Sequence, residues 1–158
     1  MTCASISATR RTGRINVKIS ARNVFKGNIA AVKTGSVNSE VDLTTVGGEK
    51  IVAMVTNDSV RELGLAVGNE ALALIKASSV LVMTEGSGVK LSALNCLSGK
   101  IVMVKNGPVS AEVSIALPSG VVVHATITHD AASELGLKTG IDATALFKAS
   151  SVIIAVAG

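Results

Sequence analysis

From residue 19 onward the apolar positions fall in short, β-branched runs broken by turn residues. Ile19, Val24, Ile29 and Val32 mark a first segment with Gly27 between its halves. That spacing predicts a strand, a glycine kink or bulge, then more strand. Lys33-Thr34-Gly35-Ser36 is a turn. Val37 to Val46 alternates, with Val37, Ser39, Val41, Leu43 and Thr45 on one side and Asn38, Glu40, Asp42 and Thr44 on the other. This is the pattern of a half-buried strand. Gly47-Gly48 closes a hairpin into Ile51–Val55. Thr56-Asn57-Asp58-Ser59 offers N-cap oxygens ahead of Val60-Arg61-Glu62-Leu63, and Gly64 follows where a left-handed C-cap is wanted. A short helix is expected there. Ala71–Ile75 and Val80–Thr84 are the last strands, joined by Lys76-Ala77-Ser78-Ser79.

The whole pattern then returns. Ser92 to Gly99 repeats Ser20 to Gly27, 72 positions on. Glu62-Leu63-Gly64-Leu65 recurs as Glu134-Leu135-Gly136-Leu137, and Lys76-Ala77-Ser78-Ser79-Val80 as Lys148-Ala149-Ser150-Ser151-Val152. Residues 18–86 form the first unit, 87–90 a linker and 91–158 the second unit. A solenoid would need three or more repeats. Two strand-rich copies predict a mainly β chain of two tandem, OB-like five-stranded barrels, each with one short helix. Residues 1–17 are polar and lack an apolar period, which predicts a basic, disordered leader. A basic arm for nucleic acid or an acidic partner is the alternative.

Charge sharpens this division. The net charge is +4, but residues 1–26 carry Arg10, Arg11, Arg14, Lys18, Arg22 and Lys26 and no acid. The remaining body holds nine bases against eleven acids, so it is slightly acidic. With two Phe and neither Tyr nor Trp, the stacking platform of a single-strand nucleic-acid binder is missing. No apolar run is long enough for a membrane-spanning helix, and the first residues lack the pattern of a signal peptide. Cys3 and Cys96 sit in unrelated contexts and read as free thiols, which fits a reducing cytoplasm.

The candidate chemistry is that of donors. The two histidines, His124 and His129, face Val52 and Asn57 at the matching positions of the first copy, so neither belongs to a duplicated site. They read as structural or solvated residues. No convergent metal ligands, Walker-type loop or nucleophile–base pair recurs. What recurs is Ser20, Thr56 and Lys76, joined in the first copy by Arg22, at strand ends and turns. Small neighbours (Ala21, Ala77, Ser78) leave backbone amides approachable. Hydroxyls, an ammonium, a guanidinium and amides suit an oxyanion. A site made mainly of donors favours a fully deprotonated tetrahedral dianion over hydrogen phosphate. Bland readings stand beside this one. Thr56 and Thr128 are also good helix caps, Lys76 and Lys148 good turn lysines, and Ser20 can satisfy local backbone.

Ser20-Ala21-Arg22-Asn23, then Gly27, then Lys76-Ala77-Ser78, resembles the Mop or TOBE family of molybdate-binding domains, and the two copies resemble its cytoplasmic di-domain molbindins. The resemblance covers residues 18–158. It implies an OB-like barrel per copy, a cytoplasmic homo-oligomer, specifically a trimer, and molybdate or tungstate held by hydrogen bonds at barrel interfaces without a metal or catalytic cofactor. It implies no enzyme activity. It assigns the anion to Ser20, Ala21, Arg22, Lys76, Ala77 and Ser78, with Thr56 contributed across an interface, and in the second copy to Ser92, Ala93, Thr128, Lys148, Ala149 and Ser150. Leu94 stands where the family arginine is expected, which predicts a weaker second site. A second class of anion site is implied at Val37, Asn38, Ser39 and Glu40 and at Val109, Ser110, Ala111 and Glu112. The implied role is storage and homeostasis of molybdenum. A sensing module acting through a partner is the alternative, and an OB-type nucleic-acid binder a more distant one.

Overall fold

The computed structural model describes residues 18–85 and 88–157, so the leader expected at 1–17 lies outside the described residues. Its first half runs β1 (Asn23–Thr34), β2 (Asn38–Thr45), β3 (Lys50–Thr56), α1 (Asn57–Leu63), β4 (Glu70–Ile75) and β5 (Leu81–Met83). The second half repeats it as β6 (Asn95–Asn106), β7 (Ser110–Ala116), β8 (Val122–Thr128), α2 (His129–Glu134), β9 (Asp142–Phe147) and β10 (Ile153–Ala155). Single 3₁₀ turns, Ala77–Ser79 and Ala149–Ser151, precede β5 and β10. Both sheets are antiparallel, with orders β10-β4-β1-β2-β3 and β5-β9-β6-β7-β8. The edge strands of each sheet come into contact, β10 with β3 and β5 with β8, which gives each sheet its barrel-like curl.

The strand orders show an exchange. β5 belongs to the first copy along the chain, yet it pairs with β9 of the second, Leu81 opposite Leu146. β10 pairs with β4 of the first copy, Ile153 opposite Leu74. Each copy therefore lends its last strand to the other. The turn Ala77–Ser79 carries the chain across rather than folding it back, and packs against β8. Ala149–Ser151 packs against β3 in the same way. Buried side chains of both copies form one continuous core, from Phe25, Ile29 and Leu43 to Ile101, Ile115 and Phe147.

Gly27 is not a kink. β1 is continuous for 12 residues, and its register shifts between Ile29 and Ala31. β6 shifts at the matching place, between Ile101 and Met103. Gly27 is needed for another reason. A Cβ there would lie 2.2 Å from the carbonyl oxygen of Thr44, and one on Gly99 would lie 2.1 Å from that of Ala116. The neighbouring strand passes too close for any side chain. The inward apolar residue at the start of β1 is Phe25, while Val24 is exposed, because strict alternation runs from buried Asn23.

The helices begin and end where the capping residues place them. The Thr56 hydroxyl accepts from the Ser59 amide at 3.1 Å, and Gly64 closes α1 at φ 61°. Thr128 caps α2 the same way through the Ala131 amide, also at 3.1 Å. Asn57 and His129, matched in the repeat, start the two helices differently. Asn57 donates to the Gly35 carbonyl at 2.9 Å and meets the Ser39 hydroxyl. Ala111 replaces Ser39 in the second copy, and the buried Nδ1 of His129 lacks a partner.

Candidate functional site

The donor arm Ser20-Ala21-Arg22 precedes β1, and one residue of β1 fixes it. Asn23 is buried and clamps the main chain of β8. Its amide donates to the His124 carbonyl at 2.8 Å, and the His124 N–H donates back to its side-chain oxygen at 2.8 Å. Asn95 clamps Val52 of β3 with the same two bonds, each 2.8 Å. An asparagine side chain has one donor and one acceptor edge, so it can pair with a strand as another strand would. Each copy's donor arm is thereby pinned to the other copy's outer strand.

Six of the expected residues, Ser20, Ala21, Arg22, Lys76, Ala77 and Ser78, line one cavity of about 380 Å³. Thr126 of β8 and Ile153 of β10 line it as well, beside Ile19 and Leu74, so the cavity is built from both copies and from an exchanged strand. Arg22, Lys76 and Ser78 are exposed, while Ala77 is buried at the start of its turn. The first amides of such a turn find no acceptor within it, so Ala77 and Ser78 bring backbone donors beside the two cations.

Thr56 lies elsewhere within the chain. Its hydroxyl is engaged as the α1 cap, and it lines a different cavity of about 590 Å³ with Val37, Ser39 and Asn57. Thr128 is likewise engaged as the α2 cap. Of the segment proposed as a second kind of anion site, Val37 and Ser39 share that cavity. The carbonyls of Asn38 and Ser110 accept from Gly35 and Gly107 at 2.9 and 2.8 Å, and those of Val37 and Val109 accept from Asn57 and His129 at 2.9 and 3.0 Å. Ala111 is fully buried. The two glutamates part from these segments. Glu40 meets Lys33 at 3.4 Å. Glu112 meets Arg22 of the other copy at 3.0 Å.

Sequence reasoning missed Thr126, Ile153 and the placing of Glu112. Thr126 and Glu112 are directly opposite in the β7–β8 pairing, two positions from the Ser114–His124 pair. His124 also belongs to this cluster. Its Nδ1 is hydrogen-bonded to the Ser114 hydroxyl at 2.9 Å. Burial and then the Arg22 guanidinium push the imidazole below its usual range, with Glu112 pulling the other way. No sequence signal marked Thr126 or His124, because the matching residues of the first copy are Met54 and Val52.

The second copy has the same plan with different chemistry. Ser92, Ala93, Lys148, Ala149 and Ser150 hold the same places in the repeat, and their 3₁₀ turn packs on β3. Leu94 stands for Arg22 and Met54 for Thr126. Leu94 lines a groove of about 470 Å³ together with Glu40, Val52 and Cys96. At one end of that groove Glu49 meets both Thr45 and Ser119, tying the β2–β3 and β7–β8 hairpins together. Burial raises the Glu49 carboxyl, but the bonds from Ser119, Thr45 and its own amide outweigh it and leave it lowered. Among the described residues no three His, Cys, Asp or Glu side chains gather as a metal site needs, and no helix is long and apolar enough to cross a membrane.

Comparison with known proteins adds an independent line. The TOBE domain model matches twice, at residues 19–82 and 91–154. The molybdenum transport protein ModE of Herbaspirillum seropedicae is 43% identical over 143 residues, 90% of this chain and 53% of that protein. The molybdenum-pterin-binding protein MopA of Rhodobacter capsulatus is 41% identical over 142 residues, 90% of this chain and 54% of that protein. The chain thus spans about half the length of these curated relatives. A crystal structure of the cytoplasmic molybdate-binding protein ModG with molybdate bound is 50% identical, with a TM-score of 0.87 over 89% of this chain and 100% of that one.

Proposed function

The chain belongs to the TOBE domain family, and on that premise we propose that it binds molybdate, and tungstate with it, at the interface of its two copies. The observation that carries this is the shared cavity of Ser20, Arg22, Lys76, Ala77, Ser78 and Thr126. Two cations, three hydroxyls and the amides of a turn converge there. Each hydrogen bond to a charged group contributes about 1.5–3 kcal/mol, so a handful of them hold a dianion without a metal. The likeness to ModG over the full length of that protein supports the same ligand. The role we assign is non-enzymatic: intracellular storage of the oxyanion, in a homo-oligomer, specifically a trimer, of the cytoplasm. In such an assembly Thr56 and Thr128 of neighbouring copies would reach further anion sites. Molybdate then stabilises the protein by mass action, by about 2.7 kcal/mol at a hundredfold excess over the dissociation constant. A sensing module acting through a partner is the second reading, favoured by the match to about half the length of the DNA-binding transcriptional dual regulator ModE of Escherichia coli, 36% identical over 143 residues.

Isothermal titration with molybdate, tungstate, sulfate and phosphate on the wild type and on Arg22→Ala, with mass followed by light scattering, tests this. Tight binding of the first two anions, weak binding of the others and a loss in Arg22→Ala are expected. No heat with any oxyanion overturns the reading.

A further inference from the structure

Glu112 puts a carboxylate against the guanidinium that the anion would use. The pair spans the two copies at 3.0 Å, with side chains 46% and 39% exposed. We infer that Glu112 is the site's own counter-ion: it engages Arg22 when no oxyanion is present, and an incoming dianion must displace it. This rests on the reading of the cavity as an anion site.

Three features support the exchange. The main chain beside Arg22 is fixed, because Asn23 is clamped to His124, whereas the arginine side chain is long and half exposed. It can turn between the carboxylate and the cavity without moving the strand. Pairs this exposed are weak, so Glu112 holds Arg22 without locking it. Finally, Glu112 lies directly across from the cavity wall residue Thr126. A dianion beside Arg22 would face a like charge there, which lowers its affinity as long as the carboxylate stays. When the anion leaves, the returning carboxylate neutralises Arg22 again. Glu112 thereby sets the affinity at a level from which the anion can be released.

The other copy shows how local this arrangement is. Glu40 holds the place of Glu112, but it faces Leu94 rather than an arginine and pairs with Lys33 of its own sheet at 3.4 Å.

Two measurements on Glu112→Gln test the inference, with Glu134→Gln as a control that removes one negative charge from the exposed face of α2. Molybdate titration at low ionic strength should show Glu112→Gln binding roughly three- to tenfold tighter than the wild type, with Glu134→Gln unchanged. Labelling of the anion-free protein with phenylglyoxal, read at the Arg22 peptide by mass spectrometry, should run several-fold faster in Glu112→Gln than in either other protein. Equal or weaker molybdate binding by Glu112→Gln overturns the inference, and so does an unchanged labelling rate at Arg22. A wild type that takes up no molybdate overturns the proposed function and the competition with it, while labelling still reports whether the ion pair exists.

Discussion

Asn23 grips the main chain of His124, 101 positions away, by donating to its carbonyl and accepting from its N–H, both at 2.8 Å. The bond pair extends the sheet hydrogen bonding of one copy onto the other through a side chain. Replacing Asn23 by Ala strands both groups of His124 near the core. Each unsatisfied buried group costs about 1–3 kcal/mol, so Asn23→Ala should lose roughly 2–4 kcal/mol by urea unfolding. Asn95→Ala should cost at least as much, because its bonds to Val52 are buried where those of Asn23 to His124 are only partly so. A loss under half a kilocalorie, on the order of a surface substitution, would show that the clamps do not hold the copies together.

Gly27 and Gly99 allow a close strand crossing. A Cβ at Gly27 would meet the Thr44 backbone at 2.2 Å, and backbone cannot swing aside as a side chain can. Gly27→Ala should destabilise by roughly 1–3 kcal/mol or more, and Gly99→Ala similarly. Gly120, by contrast, has open space around its Cβ position, but its φ of 90° excludes other residues for a different reason. Thermal midpoints of Gly27→Ala and Gly99→Ala equal to that of the wild type would contradict the crossing.

The β pattern, the helix caps and the duplication were legible because each rests on local rules. Alternation set the register of β2, and Thr56 and Gly64 bounded α1. Arg22 stood out as a long cation in a small-residue segment, but Ser20 and Lys76 also read as a backbone partner and a turn lysine, and it is the fold that brings all three to one cavity. The strand exchange was not legible. Leu81–Met83 and Ile153–Ala155 are the same element of the same repeat, so each can add to either sheet with the same hydrogen bonds. A sequence that repeats does not say which copy receives the strand. Thr126 reaches the cavity because the turn Ala77–Ser79 packs on β8 of the other copy.

His124 should make stability fall on acidification. Its ordinary value is near 6.5, and in the folded chain burial and Arg22 lower it against the pull of Glu112. The folded state therefore binds fewer protons than the unfolded one below that point. Its contribution is fully present above about pH 6.5 and is lost as pH falls through that value toward the lowered one. Unfolding free energies of wild type and His124→Asn, followed from about pH 8 to pH 5, should diverge, with the wild type losing more. Parallel curves would show that His124 titrates as an ordinary surface residue.

Leu94 and Met54 mark what the second interface lacks. They occupy the places of Arg22 and Thr126, and they replace a cation and a hydroxyl by two apolar side chains. Ser92, Lys148 and the turn Ala149–Ser151 remain, packed on β3 as their counterparts are on β8. Leu94 is 54% exposed and Met54 43%, so changing them leaves the core intact. Restoring both groups in Leu94→Arg with Met54→Thr should therefore strengthen the second anion site instead of disturbing the fold. One restored charge-assisted bond contributes about 1.5–3 kcal/mol, and every 1.4 kcal/mol is about tenfold in affinity. The double variant should bind molybdate at this second interface about tenfold or more tighter than the wild type, and so retain more of it per chain. Glu40 would then face an arginine, as Glu112 does, so Glu40→Gln on top of the double variant should tighten that site again. Molybdate titration with metal analysis of the dialysed protein reads both numbers. Unchanged stoichiometry and affinity would mean that the two missing groups are not what separates the interfaces.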